Sequence, residues 1–421
     1  MPSLTRRQFL AGAAAALGGA ALSLARRLTG TSPVRAQTLE LTPQAYLPYV
    51  SRGPGQQHHV YVARNGTPVT NVQNVIALAG GIQQFVGYDD AVVLKPNGQW
   101  PNQGYTHTEC MKALIDVILS RPGGFAGEII IVEHVHRAPP PAADNALNTN
   151  YCWNMSAGNR QRNWPDMNYF ELVNDYHTRD IPNVTANPFY DSGQGGFVAV
   201  TGPGDLSAGQ QGWVRTTYTT AANGRTVRLS NAILRSSYSG KLIDVKNGVW
   251  QNGAYNGQKV KLIFLPTLNN HSGLDSEDYA GPTSAIKCHL GIVEFTGASG
   301  ADSLHGVGYN TNQADAVGES VGHLITQVIT PAFYLTCAEY TGYGGRTNSY
   351  ATQTKTVGLC ADPATLDYWM CKYVMLPCRT SQTFMNPDNN NNLRKTLLGC
   401  CSKGVGTINE SEMVVHQVSL A

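Results

Sequence analysis

None of the nine cysteines forms a C-x-x-C pair. That excludes the spacings of zinc ribbons, bacterial ferredoxins and thioredoxin-like redox sites. The chain is also poor in charge, with Asp, Glu, Lys and Arg making up 14% of its 421 residues. No apolar run reaches the ~20 residues of a membrane-spanning helix, and no internal repeat is evident. There is little basic excess either. Five of the 30 basic residues, Arg6, Arg7, Arg26, Arg27 and Arg35, fall in the first 36 positions. The remainder therefore carries 25 basic against 28 acidic residues, a net charge near −3. That balance argues against a nucleic-acid partner, which needs a clustered basic face.

What is present begins with an address. Thr5-Arg6-Arg7-Gln8-Phe9-Leu10 is a twin-arginine signature. An Ala-, Gly- and Leu-rich run follows to Ala25, and Val34-Arg35-Ala36 offers a small-residue cleavage site. The expectation is export across the cytoplasmic membrane by the twin-arginine machinery. The product would be periplasmic or extracellular, or tethered if the leader stays uncleaved. That route carries folded chains, often with a cofactor already loaded. Five cysteines lie beyond position 359, at 360, 371, 378, 400 and 401. Outside the cytoplasm they are expected to form disulfides, and the odd total leaves at least one thiol free or paired between chains.

Residues 37–57 read as a flexible spacer, and the chain from 58 onward as a single α/β domain. Alternation predicts a strand at His58–Ala63, and buried strands follow at Ala91–Leu94, Glu128–Val132 and Val260–Leu265. Helices are expected at Val69–Phe85 and Glu109–Leu119, the second opened by a Thr106–Glu109 capping box. Strand, helix, strand with such apolar strands implies a mostly parallel or mixed sheet flanked by helices. Residues 138–212 are rich in Pro, Asn and Gly and read as a long irregular insertion, with one short helix near Tyr169–Tyr176. Asn223-Gly224 and Asn247-Gly248 mark two β-hairpins. Helices near Gln313–Ile329, Ala364–Leu376 and Asn391–Cys401 alternate with strands near Ala332–Cys337, Thr356–Cys360 and Glu412–Val418.

Five segments carry groups suited to chemistry. Lys95-Pro96-Asn97 follows a buried strand, where open parallel sheets bind ligands. It also reads as a solvated loop. Glu133-His134-Val135-His136 follows another strand. His134 and His136 share a face and could hold two positions of a metal ion, while Glu133 takes the opposite face. They also read as exposed polar residues. Pro266–His271 follows a third strand, with His271 as base, ligand or surface loop residue. Ser284–Gly291 places Lys287, Cys288 and His289 consecutively, and a thiol beside Lys and His could be nucleophilic. Asp362-Pro363 reads as a helix cap with Pro at the first position; that role leaves Asp367 unexplained.

In order, these segments resemble the family called domain of unknown function 362. The matching residues are Val92–Asn97 for V-x-x-K-P-N, Pro266–His271 for P-x-L-K-x-H, and Ser284–Lys287 for S-x-x-K-N. Asp362–Asp367 matches the D-P-x-x-x-D helix start, and Gly404-Val405-Gly406 the turn before the last strand. The resemblance spans roughly residues 58–420. It implies one site built from Lys95, Asn97, His271, Lys287, Asp362 and Asp367, with Asp362 toward a cofactor. Apart from the resemblance, His134, His136 and His271 are candidate ligands of one metal ion if their side chains converge. Three departures stand out: Asn269 replaces the family's Lys, Cys288 its Asn and Cys337 its Asp. No iron–sulfur cysteine pattern occurs. The family has no established reaction. The expectation is an exported enzyme acting on an anionic or metal-bound small molecule, with a redox-linked role compatible with the export route. The alternative is a non-catalytic binding or metal-handling protein stapled by disulfides.

Overall fold

A computed structural model describes residues 57–98, 100–134, 152–160, 162, 166–189, 196–293, 302–309, 313–347 and 350–420. The segment read as a twin-arginine leader, nearly all of the stretch read as a spacer, and His136 lie outside the described residues. The main sheet has eight strands. In chain order they are β1 (His58–Arg64), β2 (Ala91–Pro96), β3 (Glu128–His134), β4 (Val184–Phe189), β11 (Val260–Leu265), β12 (Phe333–Thr341), β13 (Thr352–Cys360) and β14 (Met413–Ser419). Their spatial order is β14-β1-β13-β12-β11-β2-β3-β4. Strands β12, β11, β2, β3 and β4 run parallel, and β13 is antiparallel to both its neighbours. The sheet is therefore mixed and flanked by helices: an α/β fold.

Period-two alternation divides its core. Val60, Val62, Ala91, Val93, Ile130 and Val132 belong to one buried cluster. Tyr61, Ala63, Val92, Leu94, Ile129 and Ile131 belong to another. Helices Pro68–Leu78, Thr108–Leu119 and Tyr169–Thr178 supply apolar side chains to the second cluster. The first is filled by helices Ala314–His323, Pro363–Met370 and Asn392–Cys401, and by a second sheet. That sheet comprises β5 (Phe197–Val200), β6 (Gln211–Thr219), β7 (Thr226–Arg235), β8 (Leu242–Asp244), β9 (Gly248–Gln251) and β10 (Ala254–Tyr255), in sequential order. Both expected Asn-Gly turns join hairpins here, with Gly224 and Gly248 at φ 68° and 112°.

Two local expectations change. The 138–212 stretch is not wholly irregular, because β4 lies within it as an edge strand of the main sheet. Its sequence, Val-Thr-Ala-Asn-Pro-Phe, hides it: Pro188 is tolerable only where an amide can go unpaired, as on an edge. The capping box does not form either. The helix starts at Thr108 with no side-chain cap. Thr106 instead accepts from the Asn97 amide at 2.9 Å and donates to the Leu265 carbonyl. A residue expected to cap a helix thus ties the ends of β2 and β11 together. No described helix is long and apolar enough to cross a membrane.

Candidate functional site

Strands β2, β3 and β11 run parallel, so their carboxyl ends share one edge of the sheet. A cavity of about 70 Å³ lies there. Its walls include Lys95 and Asn97 after β2, Glu133 and His134 at the end of β3, His271 beyond β11, and Lys287 and Cys288 from the short turn Lys287–His289. Six candidates from four separate sequence segments therefore meet around one space.

Lys95 is 1% exposed, far from the solvated loop residue that its motif equally suggested. Its ammonium donates to Glu133 at 2.9 Å and to the Pro96 carbonyl at 2.7 Å, with the Cys288 sulfur at 3.7 Å. Burial works against that ammonium, but Cys288 and Glu133 outweigh it and hold the Lys95 pKa above its ordinary value. Burial also pushes the Glu133 carboxyl up, against the pull of Lys95. Both directions favour proton retention, so Glu133 is the carboxylate of this pair that would take up a proton. There is no room around it for larger neighbours. A β-carbon on Gly291 would sit 2.3 Å from a Glu133 oxygen and 2.9 Å from Lys95 Nζ.

Strand alternation places Glu133 away from His134, yet both line the cavity. The β2–β3 ladder ends at the Leu94–Ile131 pair. Beyond it the lysine and glutamate side chains meet over the rim of the sheet. Face-counting holds within a ladder, and it fails for long side chains at a strand end.

The opposite wall is built on Lys287. It donates to Asp278 and to the Gly281 carbonyl at 3.1 Å, and lies 4.7 Å from the centre of the Tyr279 ring. Burial lowers its pKa and Asp278 opposes that. Asp278 is itself pushed up by burial but held below its usual value by Lys287 and His271. His271 Nδ1 lies 3.0 Å from the Thr283 hydroxyl, and Arg346 donates to the His271 carbonyl. Arg346 stacks 4.0 Å over the Trp100 ring, whose edge faces His271. Burial, then Lys287, drives the His271 pKa well below its ordinary value, leaving a neutral imidazole. Among charged walls the cavity meets two ammonium groups and one carboxylate, because Asp278 stands behind Lys287.

Asn97 lines the cavity, but its side-chain oxygen accepts the Thr267 amide at 2.9 Å, so it also fastens β2 to the segment after β11. Asp367 does not line it. Its carboxylate accepts from the Ser284 hydroxyl and the amides of Ala285 and Ile286 at 2.8–2.9 Å, fixing the turn that carries Lys287 and Cys288. It is a positioning residue. Burial raises its pKa to about 6. Asp362 is also away from the cavity, paired at 2.8 Å with His58 on β1. It precedes helix Pro363–Met370 with Pro363 at the first position, but no side-chain cap bond forms.

The Lys-Cys-His triple separates. His289 turns into the core, 3.0 Å from the Tyr334 hydroxyl and 3.0 Å from the Ile286 carbonyl, and burial lowers its pKa to about 3. Burial pushes the Cys288 thiol up to about 12, the reverse of an activated nucleophile. All nine cysteines are free thiols, correcting the expectation of disulfides in the C-terminal third. Cys360, Cys371 and Cys400 are instead buried members of the apolar core. Among the described residues no group of three His, Cys, Asp or Glu could hold a metal ion. His134 and His271 line the same cavity without forming such a set, and His136 lies outside the described residues.

Sequence reasoning missed Trp100, Thr283, Gly291 and His305 as wall residues. None lies in the motifs as a chemical group. The available signal was proximity in sequence: Trp100 follows Lys95-Pro96-Asn97, and Thr283 and Gly291 flank the Ser284–Lys287 segment. Of the three departures, Asn269 is structural. Its amide donates to Gln103 O and Thr267 Oγ1, and its backbone pairs with Thr283.

No family model matches the chain, and neither does any curated protein or solved structure.

Proposed function

We propose that this cavity is the active site of an enzyme acting on a small anionic molecule. The observation that carries the reading is the convergence of Lys95, Asn97, His134, His271, Lys287 and Cys288 on one cavity. Its volume admits about five water-sized groups at ~10–15 Å³ each, the size of a carboxylate or small oxyanion. Two ammonium groups reach its walls, Lys95 paired with Glu133 and Lys287 with Asp278, and burial strengthens the attraction of either for an anion. Lys95 and Lys287 would stabilise charge on the substrate's oxygens. Neutral His271 would accept a proton from the bound molecule as general base. The described residues do not make a resident metal site, so no step is assigned to a metal.

The order of the Lys95, His271, Lys287 and Asp367 segments supports kinship with the unknown-function 362 family. The twin-arginine signature supports export. Nine free thiols take the disulfide staples out of the alternative, a non-catalytic binding or metal-handling protein, and leave the rest of that reading standing.

The test is a thermal-unfolding screen of the full chain with acetate, oxalate, phosphate and sulfate, and methylammonium chloride as the ionic control. At least one oxyanion should raise Tm in the parent and not in His271→Asn. Equal shifts in both proteins, or none in either, would overturn the assignment.

A further inference from the structure

A second cavity opens along the same edge of the sheet, at the ends of β1 and β12. It is roomier, at about 390 Å³, and is lined by Asn65, His107, Glu109, Arg162, Glu339 and Lys355, among others. None of the five segments singled out for chemistry reaches it; His107 and Glu109 come from the stretch read as a capping box. Three features make it a built site. Glu339 is 5% exposed; one carboxylate oxygen accepts from the Gln353 amide at 2.7 Å, and Oε2 has no partner. His107 is 6% exposed, and its Nδ1 has no partner. Such orphaned polar atoms are costly inside a protein unless a ligand or water satisfies them.

The third feature is the backbone. Asn65 and Lys355 both adopt left-handed conformations, with φ 68° and 42°. The β12–β13 register shifts between Ala338 and Tyr340, opposite that stretch. Bulges and left-handed non-glycine residues persist where they re-aim groups at a site. Here the bulge brings Glu339 and Lys355 to the same cavity.

The chemistry of the walls selects the ligand. Glu109 and Glu339 are both raised, chiefly by burial, and Glu109 adds to the effect on Glu339. His107 is lowered to about 3 by burial and stays neutral. Two carboxylates and a neutral imidazole are three acceptors, which matches the three N–H donors of a primary ammonium. Arg162 and Lys355 line the same cavity with the opposite charge.

We propose that this cavity binds a small zwitterion, a primary amine that also carries a carboxylate. Its ammonium sits against Glu109, Glu339 and His107, and its carboxylate faces Arg162 and Lys355. The reading is independent of the first cavity.

Calorimetric titration of the full chain with glycine, β-alanine, ethylamine and acetate tests it. At least one of glycine and β-alanine should bind more tightly than ethylamine, and acetate should not bind to His271→Asn, in which the first cavity is disabled. Glu339→Gln should weaken that binding at least tenfold. Glu109→Gln, at a half-buried position more tolerant of change, should weaken it severalfold while leaving circular dichroism unchanged. His271→Asn should bind the zwitterion as the parent does, so failure here is distinguishable from failure at the first cavity. No binding of glycine or β-alanine, binding of acetate alone to His271→Asn, or unchanged binding in both Glu variants would overturn the proposal.

Discussion

Replacing Glu133 with Gln should be among the most damaging single changes in the protein, and the reason is electrostatic. Lys95 is 1% exposed and Glu133 5% exposed, so neither charge is rescued by water. In Glu133→Gln the ammonium keeps the Pro96 carbonyl at 2.7 Å but loses its carboxylate partner at 2.9 Å. Removing one member of a buried pair typically costs about 3–5 kcal/mol, because the survivor remains charged and desolvated. Lys95→Met strands the other partner, which has an exit. Burial already pushes the Glu133 carboxyl up, so it can take a proton. A folded-state pKa above the unfolded one gives stability that is present at low pH and lost as pH rises. Lys95→Met should therefore cost less at pH 5 than at pH 8. The double variant should cost clearly less than the sum of the two singles, with a coupling of about 1–3 kcal/mol. Urea unfolding of the four proteins at both pH values reads all of this. A Glu133→Gln cost below about 1 kcal/mol, or additive singles, would refute the pairing and with it the geometry of this wall.

Three further outcomes follow from the structure. Asp367, raised to about 6 in the fold, contributes stability that is complete below the unfolded carboxylate range and is lost as pH rises toward 6; Asp367→Asn should remove that part of the slope between pH 4 and 6. His289, lowered to about 3, works in the opposite sense. Its contribution is present above pH 6.5 and is lost as pH falls toward 3, so His289→Phe should flatten acid unfolding in that window. All nine cysteines should react with a thiol reagent in denaturant without prior reduction. In the native state Cys378 and Cys401, the two partly exposed ones, should react first and Cys288 only slowly.

Much of the scaffold was legible because its signals are local. The apolar strands read as Ala91–Leu94, Glu128–Val132 and Val260–Leu265 come directly from β-branched runs, two of them extending by two residues in the structure, and the Asn-Gly turns from the backbone they require. The motifs after β2, β3 and β11 come together because parallel strands put their carboxyl termini on one edge. Partnership was not legible. The Lys95–Glu133 and Lys287–Asp278 pairs depend on which chain segments cross there. The Asp367–Ser284 contact spans 83 residues and is set by how helix Pro363–Met370 packs. Burial was misjudged for the same reason. Lys95 looks like a loop lysine in sequence, and Cys360, Cys371 and Cys400 look like disulfide partners when they are core atoms. β4 was hidden because its Pro and Asn suit an edge strand and read as loop.

The most direct test of the central claim is histidine-selective nitrogen NMR of the full chain, with His271→Asn to assign its signal. The account predicts that His271 is still neutral at pH 6 and that its ring nitrogens shift on adding the oxyanion that raises Tm. An imidazole that titrates near pH 6.5 and ignores every anion offered would contradict it.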